Sequence, residues 1–180
     1  MSRRTAVFLG LALAGAVLDL GTKGLVFATL PLGSTTVLIP KLLSIQLTTN
    51  AGIAWGLFPS RIWGLVSVAA VPLIAWSFLK RRDARPAELR CGALILAGAL
   101  GNGWDRVVLK SVRDFILVPW IPNFNLADAM LTCSVAVLFF LWILHDRRPV
   151  GEARPADPRQ PDDGGVGDLG RDHGPRPGRP

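Results

Sequence analysis

The chain has 180 residues, half of them hydrophobic, and a formal net charge of +7 at pH 7. Its apolar residues fall in blocks longer than strands or ordinary soluble core helices need, which argues against a soluble enzyme and for a membrane protein. The positive charge would suit a nucleic-acid partner, but residues 146–180 hold seven acids and seven bases, so the whole excess lies beside the apolar runs, where topology signals belong; no nucleic acid is expected.

Arg3 and Arg4 precede an uncharged run over 5–18 that continues through Asp19-Leu20-Gly21-Thr22-Lys23 without a turn signal. A cleavable secretory signal opens the same way, but three further apolar runs and this unbroken continuation favour an uncleaved first span. Asp19 lies 15 residues past Arg4, about 22 Å at helical rise, and so below the far boundary of a hydrocarbon core about 30 Å thick. An ionisable group at that depth is a functional candidate. With Lys23 it also reads as a simple i,i+4 pair.

The loop 24–61 contains two β-prone runs, 35–39 and 43–48, separated by Pro40-Lys41, and these predict a small sheet on the membrane surface. Asn50-Ala51-Gly52-Ile53-Ala54-Trp55-Gly56 follows. It reads either as an interfacial turn anchored by Trp55 or as a cradle touching substrate, and the residues alone favour the turn.

Residues 62–79 form an 18-residue uncharged run, in which Pro72 is tolerable for a membrane helix. A third run covers 91–104 and a fourth 129–144. Lys80-Arg81-Arg82, Arg85 and Arg90 hold the connection between runs two and three on the cytoplasmic side, and Arg3, Arg4, Arg147 and Arg148 obey the same rule. The expected fold is a mainly α membrane protein: four transmembrane helices over 1–145, both termini cytoplasmic, with a small extracytoplasmic sheet from the first outer loop. Residues 146–180 hold seven prolines and seven glycines in 35 residues, the composition of a disordered cytoplasmic tail.

Cys91 and Cys133 lie within apolar runs and read as small buried hydrophobes, while His145 and His173 are too isolated to build a metal site. Neither metal nor cofactor is implied. The acids are more informative. Only six occur before residue 146, and three of them, Asp105, Asp114 and Asp128, lie between 98 and 128. The topology puts Asp19, Asp105 and Asp128 at the outer face. Two carboxylates held close cannot both ionise cheaply; one keeps a proton while the other activates water, a pairing suited to amide hydrolysis without metal.

Plainer readings compete for each acid. Asn125 three positions before Asp128 makes a helix cap, and Asp105 beside Arg106 makes an interfacial ion pair. Asp114, in Arg113-Asp114-Phe115-Ile116, has no such pattern around it. Two other classes stay open on the residues alone: a serine-lysine peptidase using Lys23 with Ser44 or Ser111, and a non-catalytic four-span scaffold or chaperone.

Taken in order, the motifs resemble the lipoprotein signal peptidases, or signal peptidase II, bacterial aspartic peptidases of the membrane, over roughly residues 5–145. Asp19-Leu20-Gly21-Thr22-Lys23 is similar to the family's Asp-Gln-x-Ser/Thr-Lys, with Leu20 for Gln. Asn50-Ala51-Gly52-Ile53-Ala54-Trp55 resembles Asn-x-Gly-x-Ala-Phe, with Trp55 for Phe. Gly101-Asn102-Gly103-Trp104-Asp105-Arg106 fits Gly-Asn-x-x-Asp-Arg, Asp114-Phe115 fits Val-Asp-Phe with Arg113 for Val, and Phe124-Asn125-Leu126-Ala127-Asp128 fits Phe-Asn-x-Ala-Asp.

The resemblance implies that Asp114 and Asp128 are the catalytic pair. It also implies that Asn102, Asp105, Arg106 and Asn125 support them, with Asp19 and Lys23 beside the site and Asn50, Gly52 and Trp55 near the substrate. The implied reaction removes the signal peptide of a diacylglyceryl-modified prolipoprotein just before its lipidated cysteine, at the outer face of the bacterial cytoplasmic membrane. The enzyme would be a monomer in contact with membrane lipid. The connection from Asp114 to Asp128 is shorter than in many relatives.

Overall fold

A computed structural model describes residues 1–53, 58–81 and 83–146. Trp55 and the segment 147–180, which includes the expected tail apart from Asp146, lie outside them. The elements, in chain order, are α1 (Arg3–Thr29), β1 (Thr35–Ile39), β2 (Leu43–Asn50), β3 (Gly52–Ile53), β4 (Phe58–Pro59), α2 (Ser60–Lys80), α3 (Pro86–Val108), β5 (Val112–Val118), β6 (Ile121–Phe124) and α4 (Leu126–Asp146).

Local signals explain the helix starts. Ser2 caps α1, its Oγ accepting from the Thr5 amide at 3.1 Å. Pro86 opens α3 where its missing N–H costs nothing, so this helix begins before the apolar run at Cys91. At the other end α1 continues past Lys23 to Thr29.

Helix α3 packs against α1, α2 and α4, and small residues make those approaches possible. A side chain at Gly92 would collide with the Phe78 ring, one at Gly98 with the Ala127 carbonyl and Leu131, and one at Gly15 with Ala97 and Met130. The core at one end of α3 comprises Phe8, Ala12, Ala93 and Leu96, bordered by Phe78, Leu89 and Leu100.

By length and composition, Arg3–Thr29 and Leu126–Leu144 could each cross a membrane, and α2 contributes the apolar stretch Ala69–Lys80. Outward from the helices point large apolar side chains, including Leu13, Val17, Leu73, Trp76, Phe140 and Trp142, all exposed. So much outward apolar surface suits lipid as the surrounding medium.

The four-stranded antiparallel sheet has the order β1-β2-β5-β6, and β3 pairs with β4 in a separate ribbon. Strands β1 and β2 form in the two β-prone runs of the first loop. The sheet does not come from that loop alone, however, because β5 and β6 come from the connection between α3 and α4. Their pairing is non-local: Asn50 stands opposite Val112 and Thr48 opposite Asp114. The β5 run is interrupted by Arg113 and Asp114 and gives a weak strand signal until β2 is beside it. The connection from Asp114 to Asp128 contains the β5–β6 hairpin, which turns at Pro119-Trp120.

Candidate active site

The N-terminal turn of α4 positions the first carboxylate. Asn125 precedes α4; its Oδ1 accepts from the Asp128 amide at 3.0 Å, and Asp128 Oδ2 accepts from the Asn125 amide at 3.3 Å. This is the cap expected from the sequence, closed reciprocally. A further free amide of that turn, Ala127 N–H, donates to Asp19 Oδ1 on α1 at 2.8 Å.

The second carboxylate comes from β5. Asp114 sits in the paired part of the strand, opposite Thr48, and is buried. The Asn125 side-chain amide joins the two acids: its Nδ2 donates to Asp114 Oδ1 at 2.7 Å and to Asn102 Oδ1 at 3.1 Å. Asn102, on α3, donates in turn to Asp128 Oδ1 at 2.7 Å. Each acid therefore touches a buried amide, and the two amides touch each other. Asn50, at the end of β2, adds a side-chain hydrogen bond to Asp114.

Behind this layer lies a charged one. Lys23, wholly buried, has its Nζ 2.7 Å from Asp19 Oδ2, 2.8 Å from Asn102 Oδ1 and 3.5 Å from Asp105 Oδ2. The i,i+4 pair is present, but the lysine also carries the network from α1 to α3. Gly101 makes room for it, because any side chain there would occupy the position of the Asp19 carboxylate. Asp105 is gripped by Arg113, whose Nη2 lies 2.7 Å from Oδ1 and whose backbone N and Nε lie 3.1 and 3.2 Å from Oδ2. The expected partner of Asp105, its neighbour Arg106, interacts with it electrostatically, and β5 adds Arg113 face to face with Asp105. Arg106 lies within electrostatic reach of Asp128, Asp114 and Asp105.

Burial, then the nearby Asp128 charge, pushes the Asp114 carboxyl up to about 6; hydrogen bonds from Asn125 and Asn50 and the Lys23 charge oppose them. One acid of this hydrogen-bonded cluster is thus held reluctant to ionise. Among the described residues, no group of three or more His, Cys, Asp or Glu is arranged to hold a metal ion. Lys23 contacts neither Ser44 nor Ser111; its partners are two carboxylates and an amide.

Residues 11–144 match the family model described as signal peptidase (SPase) II. The chain belongs to the signal peptidase II family. It is 35% identical over 144 residues to the lipoprotein signal peptidase of Symbiobacterium thermophilum, covering 77% of this chain and 95% of the relative. To that of Geobacter sulfurreducens it is 38% identical over 151 residues, covering 79% and 94%. Among solved structures, a bacterial membrane enzyme at 2.3 Å resolution matches with a TM-score of 0.74 and 28% identity, over 83% of this chain and 94% of that one.

The motifs by which this signal peptidase II chain resembles its family converge in space: those containing Asp19 and Lys23, Asn102 and Asp105, Asp114, and Asn125 and Asp128 build one network. Gly52 stands in β3 opposite Pro59. Two participants are not legible in the sequence. Arg113 reads there only as a departure from the family pattern, and Asn123 donates to the Gln46 carbonyl and side chain and to Thr48, at 3.0 to 3.2 Å. Only a known strand pairing could reveal them. Asp19, a candidate already, also caps a helix 108 residues away.

Proposed function

We propose that Asp114 and Asp128 are the catalytic dyad of this aspartic peptidase, which removes signal peptides from prolipoproteins. The observation that carries the assignment is the Asn125 side chain, bonded to Asp114 and closed on Asp128 in one turn. Asp128, in the first turn of α4, accepts from the Asn102 side chain on α3 and from the Asn125 amide. Asp114, buried and pushed up to about 6, suits the protonated partner.

In the proposed reaction, water between the acids attacks the scissile carbonyl. The ionised acid takes the water's proton, and the protonated acid donates a hydrogen bond to the carbonyl oxygen. Collapse of the tetrahedral intermediate breaks the C–N bond, and a proton passes to the departing amine. Asn102 and Asn125 hold both carboxylates in register throughout. Lys23, Asp19, Asp105 and Arg113 fix those amides from behind.

The substrate reading adds a diacylglyceryl group on the cysteine that follows the cut bond. Such a lipid keeps the bond at the membrane boundary, where the helix ends and sheet meet. The exposed apolar faces of α1 and α4 support acyl-chain binding. Four spans, cytoplasmic termini, an active site at the outer face of the cytoplasmic membrane and a monomer complete the proposal. The basic residues at one end of the bundle support that orientation, and the same reading makes 1–145 the working domain and 146–180 a cytoplasmic tail.

A processing assay with a diacylglyceryl-modified prolipoprotein tests this. Asp114→Asn and Asp128→Asn should each lower cleavage at least about 1,000-fold while the protein stays folded in detergent. Full activity in either variant would defeat the dyad. Lys23→Met is the contrasting test: if it abolishes cleavage in a folded protein and Asp114→Asn does not, a serine-lysine mechanism replaces this one.

A further inference from the structure

At the end of the bundle away from the acids, the first turns of α1 and α3 border a cavity of about 580 Å³. Its rim carries Arg3, Arg4 and Arg90, and its wall carries Val7, Leu11 and Leu89. None of its lining residues is acidic. Glu88 belongs to a neighbouring recess, where it faces Arg81 at 3.7 Å and accepts from the Arg85 amide.

The cavity is held in shape from below and beside. Phe8 at its base is buried against Phe78, ring centroids 6.3 Å apart. Arg4 donates to the Arg81 carbonyl, which ties the start of α1 to the connection between α2 and α3. Arg3 and Arg90 are exposed at the opening, and so is Val7.

An apolar wall beneath a rim of guanidinium groups selects an amphiphile with an anionic head. A polynucleotide or acidic peptide would satisfy the arginines but leave Val7 and Leu11 against water. A zwitterionic lipid would satisfy the wall, yet it would bring its own cation against three others. Guanidinium pairs with phosphate through two parallel hydrogen bonds, whereas the apolar wall takes methylene groups.

We propose that this cavity binds one anionic phospholipid of the cytoplasmic leaflet, phosphate on Arg3 and Arg90 and the upper acyl chain along Val7, Leu11 and Leu89. The leaflet assignment rests on the orientation given under the proposed function; the chemistry of the pocket does not. The lipid would bridge α1 and α3, the two helices that also meet through Lys23 at the other end.

Native mass spectrometry of the full chain in detergent, titrated with phosphatidylglycerol or phosphatidylcholine of identical acyl chains, tests the site. The wild type should retain one phosphatidylglycerol in preference to phosphatidylcholine. Each arginine near a lipid surface is worth about fivefold, so Arg3→Gln with Arg90→Gln should weaken phosphatidylglycerol retention about thirtyfold and leave phosphatidylcholine unchanged. A control pair at the far end, Lys41→Gln with Lys110→Gln, should keep the preference. Equal retention of the two lipids by the wild type, or an undiminished preference in the arginine variant, overturns the proposal. Prolipoprotein cleavage measured on the same samples separates the two readings. Lipid preference without any cleavage defeats the peptidase assignment and leaves the site standing, and cleavage without lipid preference does the reverse.

Discussion

Arg113 on β5 and Asp105 on α3 form a two-pronged ion pair, with contacts of 2.7 Å and 3.2 Å, and Asp105 is wholly buried. The pair fastens the strand bearing Asp114 to the helix bearing Asn102. Arg113 also lies over the Phe27 ring, 5.8 Å from its centroid, so it reaches the end of α1 as well. Removing its side chain leaves Asp105 with Lys23 at 3.5 Å and the neighbouring Arg106 charge. Arg113→Ala should therefore cost about 2 to 3 kcal/mol, because a buried carboxylate loses charge-assisted hydrogen bonds. Arg113→Lys should recover only part, since an ammonium cannot make the paired contact. Thermal unfolding in detergent reads both, and an unchanged midpoint for the alanine variant would deny the pair its structural role.

The dyad should set a basic limit on turnover. With one proton shared between Asp114 and Asp128, the working form disappears as that proton is lost. Because Asp114 is pushed up to about 6, kcat/KM should fall about tenfold per pH unit above that point. The limb in kcat should lie higher, because bound substrate excludes more water. A kcat/KM that keeps rising through pH 6 to 8 would mean that the proton is not needed.

The same shift has a consequence for stability. A carboxyl whose folded pKa is raised from 3.8 to about 6 contributes fully below 3.8, and that contribution is lost as pH rises through about 6. At pH 8 the charged Asp114 should thus weaken the fold by up to about 3 kcal/mol. Asp114→Asn should unfold at a higher temperature than wild type at pH 8, and the gap should close at pH 4. A variant less stable than wild type at pH 8 would show that Asp114 anchors the strand.

What the sequence could disclose follows from how local each feature is. The apolar runs, the strands at 35–39 and 43–48, the Asp19–Lys23 pair and the Asn125 cap depend on residues within a few positions of one another, and each was legible. The pairing of β5 with β2 joins residues more than 60 apart, and no local pattern encodes it. Arg113 is the instructive case. As a letter it stood only where the family has valine, and its meaning came from a strand that turns it toward Asp105. Likewise the sequence marks Asp19 as a candidate but does not show its grip on the Ala127 amide.

Two glycines of similar helical setting should respond oppositely to alanine. Gly101 faces the Asp19 carboxylate, which is held by both Lys23 and the Ala127 amide and cannot withdraw. Gly21 has open space where its Cβ would stand. Gly101→Ala should cost about 1 to 3 kcal/mol through overpacking and lower kcat by displacing Asn102. Gly21→Ala should be neutral or stabilise by up to about 1 kcal/mol through helix propensity. Equal unfolding midpoints for the two variants would remove the reason given for glycine at 101.

Trp120 stands at the turn between β5 and β6 with φ of 69°, fully exposed. After Pro119 this is the turn position where glycine is favoured, and a bulky side chain there costs about 1 to 2 kcal/mol. Nothing in the described packing offsets that cost, but Ile121 and Leu42 are exposed nearby on the same apolar tip, and an indole is at home at a membrane boundary. Trp120→Gly should therefore raise the unfolding midpoint in detergent, where the side chain contributes least, by the equivalent of about 1 kcal/mol. In bilayer nanodiscs the gain should shrink or reverse, because the anchoring indole is lost there. An identical gain in both media would leave Trp120 without an interfacial role, and a loss in detergent would show that the turn is not strained.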